Sequence, residues 1–396
     1  MTSMNRRRFL SQSALAATTP LVLGAGRASG EGRKYKACVI GDTNQGGYGH
    51  SLHLMWALRD DVEVVGLADP DEEGRARHAA EASALRSYAD YRDMLEKEQP
   101  DLVSIGPRWT IHHLEYLLAC AEVGAHGIIE KPVATDLAEG DIALAAMAEK
   151  NLKWTVAFNF RASPKIAHAK RLIFEEGLIG DVLEVRSRGK EDHRAGGEDL
   201  VVLGVHNFDM MRYFLGAPQW CAADITVDGR PATPADVREA SEPLGPVVGD
   251  RLHAVYGFEN GVPGYFASLK NADGDGDRWG LDIYGSKGMA TIRMTPVPRV
   301  AYILEPSWAP AGRDSAWQRL PDRPQIERRE PARIGHYAPI IDDLIAAIEE
   351  DREPMVSLQD GQNATEMIQA VFEAPQHGGR VALPLAERTH PLKRWA

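Results

Sequence analysis

The stretch that decides the fold is "YKACVIGDTNQGGYGHSLHLMWALRDDVEVVGLADPD", from Tyr35 to Asp71. Two short apolar runs, YKACVIG and VEVVGLADPD, flank a glycine-rich segment that leads into an apolar segment of helical character. Short apolar runs bounded by glycine and proline indicate buried strands. The order strand, helix, strand predicts a right-handed crossover between two parallel strands.

The same unit repeats over the next eighty residues. DLVSIGP and HGIIEKP have the composition of buried strands, and HLEYLLACAEVG between them predicts a helix that stops at Gly124. Alternating strands and helices of this length indicate a doubly wound parallel sheet. We therefore predict a Rossmann domain over residues 34–156.

The pattern changes at about residue 157. Runs such as VLEVRSR, RLHAVYGFENG and WGLDIYGSKGMATIRM alternate apolar and polar side chains, which predicts a large, mostly antiparallel mixed sheet with one polar face. APIIDDLIAAIEE and ATEMIQAVFEA predict two helices near the C-terminus. The sequence thus predicts an α/β protein whose second domain, residues 157–396, binds substrate and mediates oligomerisation.

The composition narrows the class of partner. The 396 residues have a formal net charge of −12 and are 44% hydrophobic. A nucleic acid or an anionic membrane needs a basic face, so a small-molecule ligand is favoured. The three cysteines are far apart and no Cys/His cluster has zinc spacing, so we predict neither a disulfide framework nor a metal.

Residues 1–28 have the layout of a signal peptide. Arg6, Arg7 and Arg8 precede a moderately long apolar stretch, and small residues follow it near Ala28. RRRFL resembles the twin-arginine signal, whose export machinery carries folded proteins. We expect a periplasmic or otherwise exported protein that is not inserted in the membrane after signal removal and that retains a tightly bound cofactor.

The glycine-rich segment and the end of the second strand indicate a dinucleotide site. Glycine-rich turns at a helix N-terminus present backbone N–H groups to a pyrophosphate. The four predicted cofactor-binding glycines are Gly41, Gly46, Gly47 and Gly49, and their spacing differs from G-x-G-x-x-G by an insertion after Gly41. A carboxylate at Asp69 would accept both ribose hydroxyls, which favours NAD over NADP; in the alternative interpretation Asp69 only caps the next helix.

A second charged position lies at a strand end. In HGIIEKP, Glu130 and Lys131 follow the apolar run, at the edge where parallel sheets bind ligands. A desolvated lysine there can hold a substrate hydroxyl and relay its proton, whereas an isolated Glu-Lys pair would close a strand as a surface ion pair. Pro107, in SIGPRWTIHH one strand earlier, is predicted beside the nicotinamide ribose.

Five motifs in order give the chain a resemblance to a known family. IIEKP, VAFNFRASP, EEGLIGDVLEVRSR, GGEDLVVLGVHNFDMMRYFLG and WGLDIYGSKG resemble the glucose–fructose oxidoreductase, inositol dehydrogenase and rhizopine-catabolism (Gfo/Idh/MocA) family, from about Lys34 to the C-terminus. That resemblance implies an NAD(P)-dependent oxidoreductase of sugars, polyols or their derivatives.

The resemblance also implies roles for individual residues. Lys131 matches the catalytic lysine and His206 the catalytic histidine, with Glu130 near the nicotinamide ribose. Asn159 and Arg161 match positions near substrate and cofactor, of which we assign Asn159 to substrate and Arg161 to cofactor. Asp209 matches an acid that often contacts substrate; in the alternative interpretations His206 is a core histidine and Asp209 a helix-surface acid.

One position departs from the family pattern. The family usually has an aspartate four residues before the histidine, and here that residue is Val202. Glu198, Asp199, Asp192 and His193 are candidate replacements, with the last three predicted near substrate. Asp199 is favoured because it precedes His206 by two turns of a continuous helix.

The leading hypothesis is hydride transfer between a ring carbon of a carbohydrate and bound nicotinamide. One alternative is a glycosidase that uses NAD for transient oxidation and elimination; another is a non-catalytic sugar-binding relative. The predicted open sheet favours a homodimer or homotetramer.

Overall fold

The computed structural model describes residues 35–270, 277–295, 297–309, 315–320 and 334–395. The predicted signal peptide, residues 1–28, lies outside these ranges. Within these ranges the chain forms two large sheets with helices packed against them, and one small two-stranded ribbon. No helix in the described ranges is long and apolar enough to cross a membrane.

The first sheet has six strands in the order β3-β2-β1-β4-β5-β6, and all its neighbouring pairs are parallel. Its strands are β1 (Tyr35–Ile40), β2 (Val62–Ala68), β3 (Arg86–Tyr88), β4 (Leu102–Ile105), β5 (His126–Ile129) and β6 (Trp154–Val156). The helices between them are α1 (Glu72–Glu81), α2 (Tyr91–Glu98), α3 (His113–Val123) and α4 (Leu137–Glu149). Strand order reverses beside β1, the arrangement in which ligands bind beyond the strand ends.

Local signals set several of these boundaries. Asp71 caps α1 by accepting a hydrogen bond from the Gly74 amide, 2.7 Å away. α3 ends at Gly124, which adopts a left-handed φ of 75°, as the sequence predicted. β1, β4 and β5 are almost wholly buried, which explains their continuous apolar composition.

The second sheet is mixed and mostly antiparallel. Its main path is β17-β16-β15-β14-β7-β13-β12-β8-β18, in which β7 and β13 form the parallel pair. The strands after β6 are β7 (Val182–Arg188), β8 (Pro218–Val227), β9 (Arg230–Pro231), β10 (Arg238–Glu239), β11 (Pro246–Val247), β12 (Arg251–Phe258), β13 (Pro263–Leu269), β14 (Gly280–Gly285), β15 (Gly288–Arg293), β16 (Arg299–Ile303), β17 (Gln318–Arg319) and β18 (Arg380–Ala382). β10 and β11 pair separately as a small ribbon. The predicted fold class is confirmed.

Five α-helices follow β6 in the described ranges. They are α5 (Pro164–Lys170, continued by a π-helical turn over Arg171–Glu175), α6 (Gly197–Val202), α7 (Gly204–Leu215), α8 (Ala338–Glu350) and α9 (Leu358–Glu373). α9 packs against α4, β6 and α7, so it contacts both sheets' helices. α6 and α7 lead towards the ends of the parallel strands, and this places residues from both domains around one cavity.

Candidate active site

A cavity of about 210 Å³ lies beyond the end of β5. Lys131 from the first domain and His206 from α7 both line it, together with Val202 and Trp279. A second cavity of about 330 Å³ also has His206 and Trp279 in its wall, along with Asn159. The two residues predicted to be catalytic, 75 positions apart in sequence, therefore lie in the wall of one cavity.

Lys131 is buried, with only 4% of its surface exposed. Its Nζ donates a hydrogen bond to the backbone carbonyl of Val202, 3.1 Å away. Burial lowers the pKa of Lys131 from its usual value, although the negative charge of Glu130 opposes that effect. Lys131 is thus held by a neutral acceptor in a place where it can give up or share a proton more readily than a surface lysine.

His206 is 5% exposed, and its Nδ1 has no hydrogen-bond partner among the described residues. The ring makes edge-to-face contacts with Phe158, Phe160 and Trp279, which fix its orientation. Burial holds the pKa of His206 well below its usual range, and the nearby charges of Lys131 and His50 act in the same direction. A neutral imidazole with an unpaired nitrogen can accept a proton from a ligand hydroxyl.

Glu130 is fully buried and is held in place by its neighbours. Its Oε1 accepts hydrogen bonds from the His50 amide (2.8 Å) and lies 2.6 Å from His50 Nδ1, and Oε2 accepts from the Lys131 amide. Although burial raises its pKa, the charges of His50 and Lys131 and the hydrogen bonds from His50 hold the pKa of Glu130 well below the usual range. Glu130 therefore fixes the strand end and orients His50, which also lines both cavities.

Sequence reasoning did not identify His50, although it directly follows Gly49 in the motif GGYGH.

Pro107, which was predicted to lie beside the cofactor, contacts a buried histidine, His113, through its backbone carbonyl. The His113 ring lies between the carbonyl oxygens of Pro107 (2.8 Å) and Val133 (3.1 Å). That contact joins the segments that follow β4 and β5, and it steadies the edge on which Lys131 lies.

The glycine-rich segment closes on itself instead of leading straight into a helix. Asp42 and Gly47 exchange backbone hydrogen bonds, and the aromatic ring of Tyr48 lies so close to Gly41 that a Cβ there would be 2.0 Å from the ring. The following helix begins only at Leu52 and is a seven-residue 3₁₀ helix. The predicted order of strand, glycine-rich turn and helix is present, but the inserted residues form a separate turn, so the glycines precede the helix N-terminus instead of forming it.

Gly46 and Gly49, like Gly47, adopt positive φ, and they bring this turn close to the neighbouring strand ends. A Cβ at Gly46 would meet the Arg108 backbone amide at 2.7 Å, and one at Gly49 would meet the Glu130 carboxylate. Only glycine permits both the backbone angles and these close approaches. The segment thus covers the ends of β4 and β5.

Asp69 lies at the end of β2 as predicted, but its carboxylate is fully buried. Its oxygens accept hydrogen bonds from the Thr43 hydroxyl and the Tyr48 hydroxyl, both at 2.7 Å, and from the Asp71 amide at 2.9 Å. An adenosine ribose does not fit against Asp69 in this conformation, because the chain's own hydroxyls already occupy the acceptor positions. The assignment of Asp69 to the cofactor stays a prediction.

Two family models match the chain and cover most of it. The model described as "Oxidoreductase family, NAD-binding Rossmann fold" matches residues 36–158, and the one described as "Oxidoreductase family, C-terminal alpha/beta domain" matches residues 174–383. The chain belongs to the Gfo/Idh/MocA oxidoreductase family. The family resemblance inferred from the five motifs is confirmed.

Among curated relatives, levoglucosan dehydrogenase of Pseudarthrobacter phenanthrenivorans is 30% identical over 247 residues, which cover 56% of this chain and 63% of that protein. Myo-inositol 2-dehydrogenase of Thermotoga maritima is 25% identical over 236 residues, covering 58% and 67%. A solved structure of levoglucosan dehydrogenase in complex with NADH and levoglucosan superposes with a TM-score of 0.69 at 24% identity, covering 89% of this chain and all of that one. That superposition supports the fold.

This Gfo/Idh/MocA chain has Val202 where the family usually has an aspartate. Asp199, the residue predicted to replace that aspartate, does not contact His206 in the described hydrogen bonds. The helix expected to join them is interrupted: α6 ends at Val202 and α7 begins at Gly204, with Leu203 between them at a φ of −119° and a ψ of −32°. Asp199 therefore faces elsewhere, and its Oδ2 accepts from the Ser268 hydroxyl at 2.6 Å and from the Glu191 amide. At the position of the usual aspartate, the structure instead has the backbone carbonyl of Val202, which accepts a hydrogen bond from Lys131.

The other candidate replacements also lie away from His206. Glu198 binds Ser241 and Arg238. Asp192 pairs with Arg194, and although burial raises its pKa, the hydrogen bonds from Arg194 lower the pKa of Asp192 to about 2. The side chain of His193 is 80% exposed. None of the three contacts the imidazole in the described hydrogen bonds.

Arg161 and Asp209 lie together in the interior. Arg161 Nη2 is 2.5 Å from Asp209 Oδ1, and its Nη1 is 2.8 Å from Asp360 Oδ1. Burial raises the pKa of Asp209 to about 6; the charge of Asp360 acts in the same direction, and the Arg161 guanidinium opposes both. The structure brings these two predicted site residues into contact with each other, and neither is in the lining of the two cavities described above.

One further set of ligand-type side chains was not predicted. The nitrogen or oxygen atoms of His53, His78 and Glu81 lie within 4.8 Å of one another. His53 Nε2 and His78 Nδ1 are 2.9 Å and 3.2 Å from the Glu81 carboxylate. The prediction of no metal is untested, and these three side chains bind one another in the structure.

Proposed function

We propose that the protein is an NAD(H)-dependent oxidoreductase that acts on a CH–OH group of a sugar, polyol or glycoside. The observation that carries the proposal is the placement of a buried lysine and a buried histidine, Lys131 and His206, in one cavity at the end of a parallel strand. Levoglucosan and myo-inositol dehydrogenases among the relatives support a carbohydrate substrate.

Lys131 and His206 have different roles at the reacting hydroxyl of the substrate. Lys131 Nζ donates a hydrogen bond to the hydroxyl oxygen, while the neutral imidazole of His206, which lines the same cavity, accepts the proton that leaves it. The low pKa of His206 keeps the imidazole in its accepting form at neutral pH. A nicotinamide supplies the hydride acceptor when bound.

The carboxylate of Asp69 favours NAD, because it would repel the 2′-phosphate of NADP. NADP is the alternative cofactor. Binding requires Thr43 and Tyr48 to release Asp69, because both hydroxyls now occupy its oxygens. Retention of the cofactor after purification is expected once that rearrangement has taken place.

Turnover is tested with the variants Lys131→Ala and His206→Ala. We expect each to lower kcat/KM by roughly 10²- to 10⁴-fold, because each removes a group that handles the proton. The measurement is nicotinamide absorbance during a screen of sugars and polyols, with the cofactor identified after denaturation of the protein.

Matched controls are available in the same chain. Lys153 and His390 are also buried, yet neither lines the cavity, so Lys153→Ala and His390→Ala should retain turnover within a few-fold. Unchanged turnover in Lys131→Ala and His206→Ala would remove the catalytic assignment. Release of an aglycone without net nicotinamide reduction would favour the glycosidase alternative.

A further inference from the structure

The cavity that contains Lys131 and His206 is rich in positive charge. Arg108, Lys190 and Arg194 line it together with Lys131, whereas Glu242 is the acidic residue among its described lining. Neutral sugars are usually bound by mixed donors and acceptors, because each hydroxyl both donates and accepts. The four cationic side chains of this cavity, by contrast, can only donate hydrogen bonds to a ligand.

Arg194 is already paired. Its Nη2 is 2.7 Å from Asp192 Oδ2, its Nε donates to Asp192 Oδ1 at 3.1 Å, and its Nη1 is 3.3 Å from Glu242. Both carboxylates hold the guanidinium in place. Arg194 therefore shapes the wall of the cavity and has little capacity left for a ligand.

The charged groups of Arg108 and Lys190 lie near carboxylates but beyond hydrogen-bond distance from them. Arg108 Nη2 is 3.8 Å from Glu242, and Arg108 Nε is buried without a hydrogen-bond partner among the described residues. Lys190 Nζ is 3.6 Å from Asp192. Both distances exceed a hydrogen bond, so each cation has donors that no acceptor among the described residues satisfies.

The two cations come from different domains. Arg108 follows β4 of the parallel sheet, and Lys190 follows β7 of the second sheet. A ligand anion between them would join the two domains at the cavity. Charge-assisted bonds from arginine and lysine are the usual way to bind a carboxylate, and a guanidinium offers it two parallel donors.

We propose that the substrate is a sugar acid, an aldonate or uronate, whose carboxylate binds Arg108 and Lys190 while its reacting hydroxyl lies at Lys131 and His206. This inference rests on the proposed function for the reacting hydroxyl. The carboxylate subsite itself depends only on the two incompletely paired cations. A carboxylate is favoured over a phosphate because a cavity of about 210 Å³ suits a monosaccharide without an added phosphoryl group.

Calorimetric binding to the purified full-length protein tests the subsite without turnover. The ligands are matched pairs, glucuronate with glucose, galacturonate with galactose and gluconate with glucitol, and glucose 6-phosphate serves as the phosphate arm. We expect the tightest acid to bind at least about tenfold more tightly than its neutral partner, with the difference reduced in high salt.

Variants then assign the subsite. Arg108→Gln and Lys190→Gln should each lower the acid-to-neutral affinity ratio about tenfold, and Arg108→Lys should restore part of it, because a charged hydrogen bond is roughly that strong. Lys287→Gln, an exposed lysine outside the cavity, is the control. The melting temperature of each variant shows whether the fold is intact.

Three outcomes overturn the proposal. They are a panel in which no acid binds more tightly than its neutral partner, an Arg108→Gln variant that weakens acid and neutral ligands equally, and a preference for glucose 6-phosphate over every carboxylate. Failure of the proposed function is distinguishable: an acid that binds at Arg108 and Lys190 but is neither oxidised nor reduced contradicts the oxidoreductase and leaves the carboxylate subsite standing.

Discussion

Val202 affects the site through its backbone and not through its side chain. Because this position lacks the usual carboxylate, the sequence did not show which group would be the partner of His206. In the structure, the Val202 carbonyl accepts the hydrogen bond of Lys131 Nζ, and His206 Nδ1 has no partner among the described residues. A sequence displays side chains, so a backbone carbonyl that replaces one is invisible until the chain is folded.

At the same scale, Tyr48 controls access to Asp69. Its hydroxyl donates to Asp69 Oδ2 at 2.7 Å, in the place where a ribose hydroxyl would donate. Tyr48→Phe removes that competitor, so we expect the cofactor-free protein to bind NAD about fivefold more tightly, the equivalent of about 1 kcal/mol for one net hydrogen bond. Titration calorimetry measures the change.

Tyr302→Phe is the matched control, because the Tyr302 hydroxyl also donates to a side-chain oxygen, that of Gln318, but on the second sheet. It should leave the NAD affinity unchanged. Weaker NAD binding by Tyr48→Phe would contradict the prediction and would identify the Tyr48 hydroxyl as a cofactor ligand.

At the scale of elements, the interruption between α6 and α7 decides what reaches the cavity. A continuous helix would have placed Asp199 on the face of His206. The interruption at Leu203 turns Asp199 to Ser268, whose hydroxyl also accepts from the Gly196 amide at 2.9 Å. The sequence analysis expected one continuous helix here, and the structure has two, which meet at Leu203 just before Gly204.

The turn before α6 depends on Gly196. Its φ of 89° and ψ of −136° lie in a region open essentially to glycine, and a Cβ there would be 2.3 Å from the Gly249 carbonyl oxygen. Gly216 has nearly the same angles, 85° and −152°, but open space around it. We expect Gly216→Ala to cost about 1–3 kcal/mol of unfolding free energy from backbone strain, and Gly196→Ala to cost more.

Denaturant unfolding of both glycine variants provides the comparison. The extra loss in Gly196→Ala isolates the contact with Gly249, since the backbone strain is matched. Equal losses in the two variants would mean that the turn relaxes away from that contact. Because the segment between β7 and α6 carries Lys190 and Arg194, Gly196→Ala should also weaken ligand binding.

For the whole molecule, the C-terminal helices tie the two domains together. The Thr155 hydroxyl donates to the Val356 carbonyl just before α9, and Gln362 on α9 donates to the Leu137 carbonyl of α4. Arg388 binds Asp141 through two bonds of 2.7 Å. The predicted boundary at residue 157 marks where the strand pattern changes, but the last sixty residues pack against the first domain as well.

The second sheet leads to a prediction about assembly. Burial alternates along β13, so that Tyr265 points away from the core and lies beside Val255 and Arg186 of the neighbouring strands. A broad sheet face of this kind usually finds a partner, and we predict a dimer or tetramer by light scattering. Tyr265→Glu should shift the mass towards the monomer, whereas a protein that is monomeric at every concentration contradicts the prediction.

The sequence by itself determined the layers of the molecule. Apolar runs and helical spacing are local properties, and they identified the parallel sheet and the mixed sheet; the strand-end position singled out Lys131, whereas His206 was assigned through the family resemblance. Only the tertiary structure decided which groups come together: Lys131 with the Val202 carbonyl 71 residues away, Glu130 with His50 80 residues away, and Arg108 and Lys190 in the wall of one cavity. The first two contacts depend on how distant segments pack and on backbone groups that every residue shares, so no local pattern records them; Arg108 and Lys190 share only the lining of one cavity.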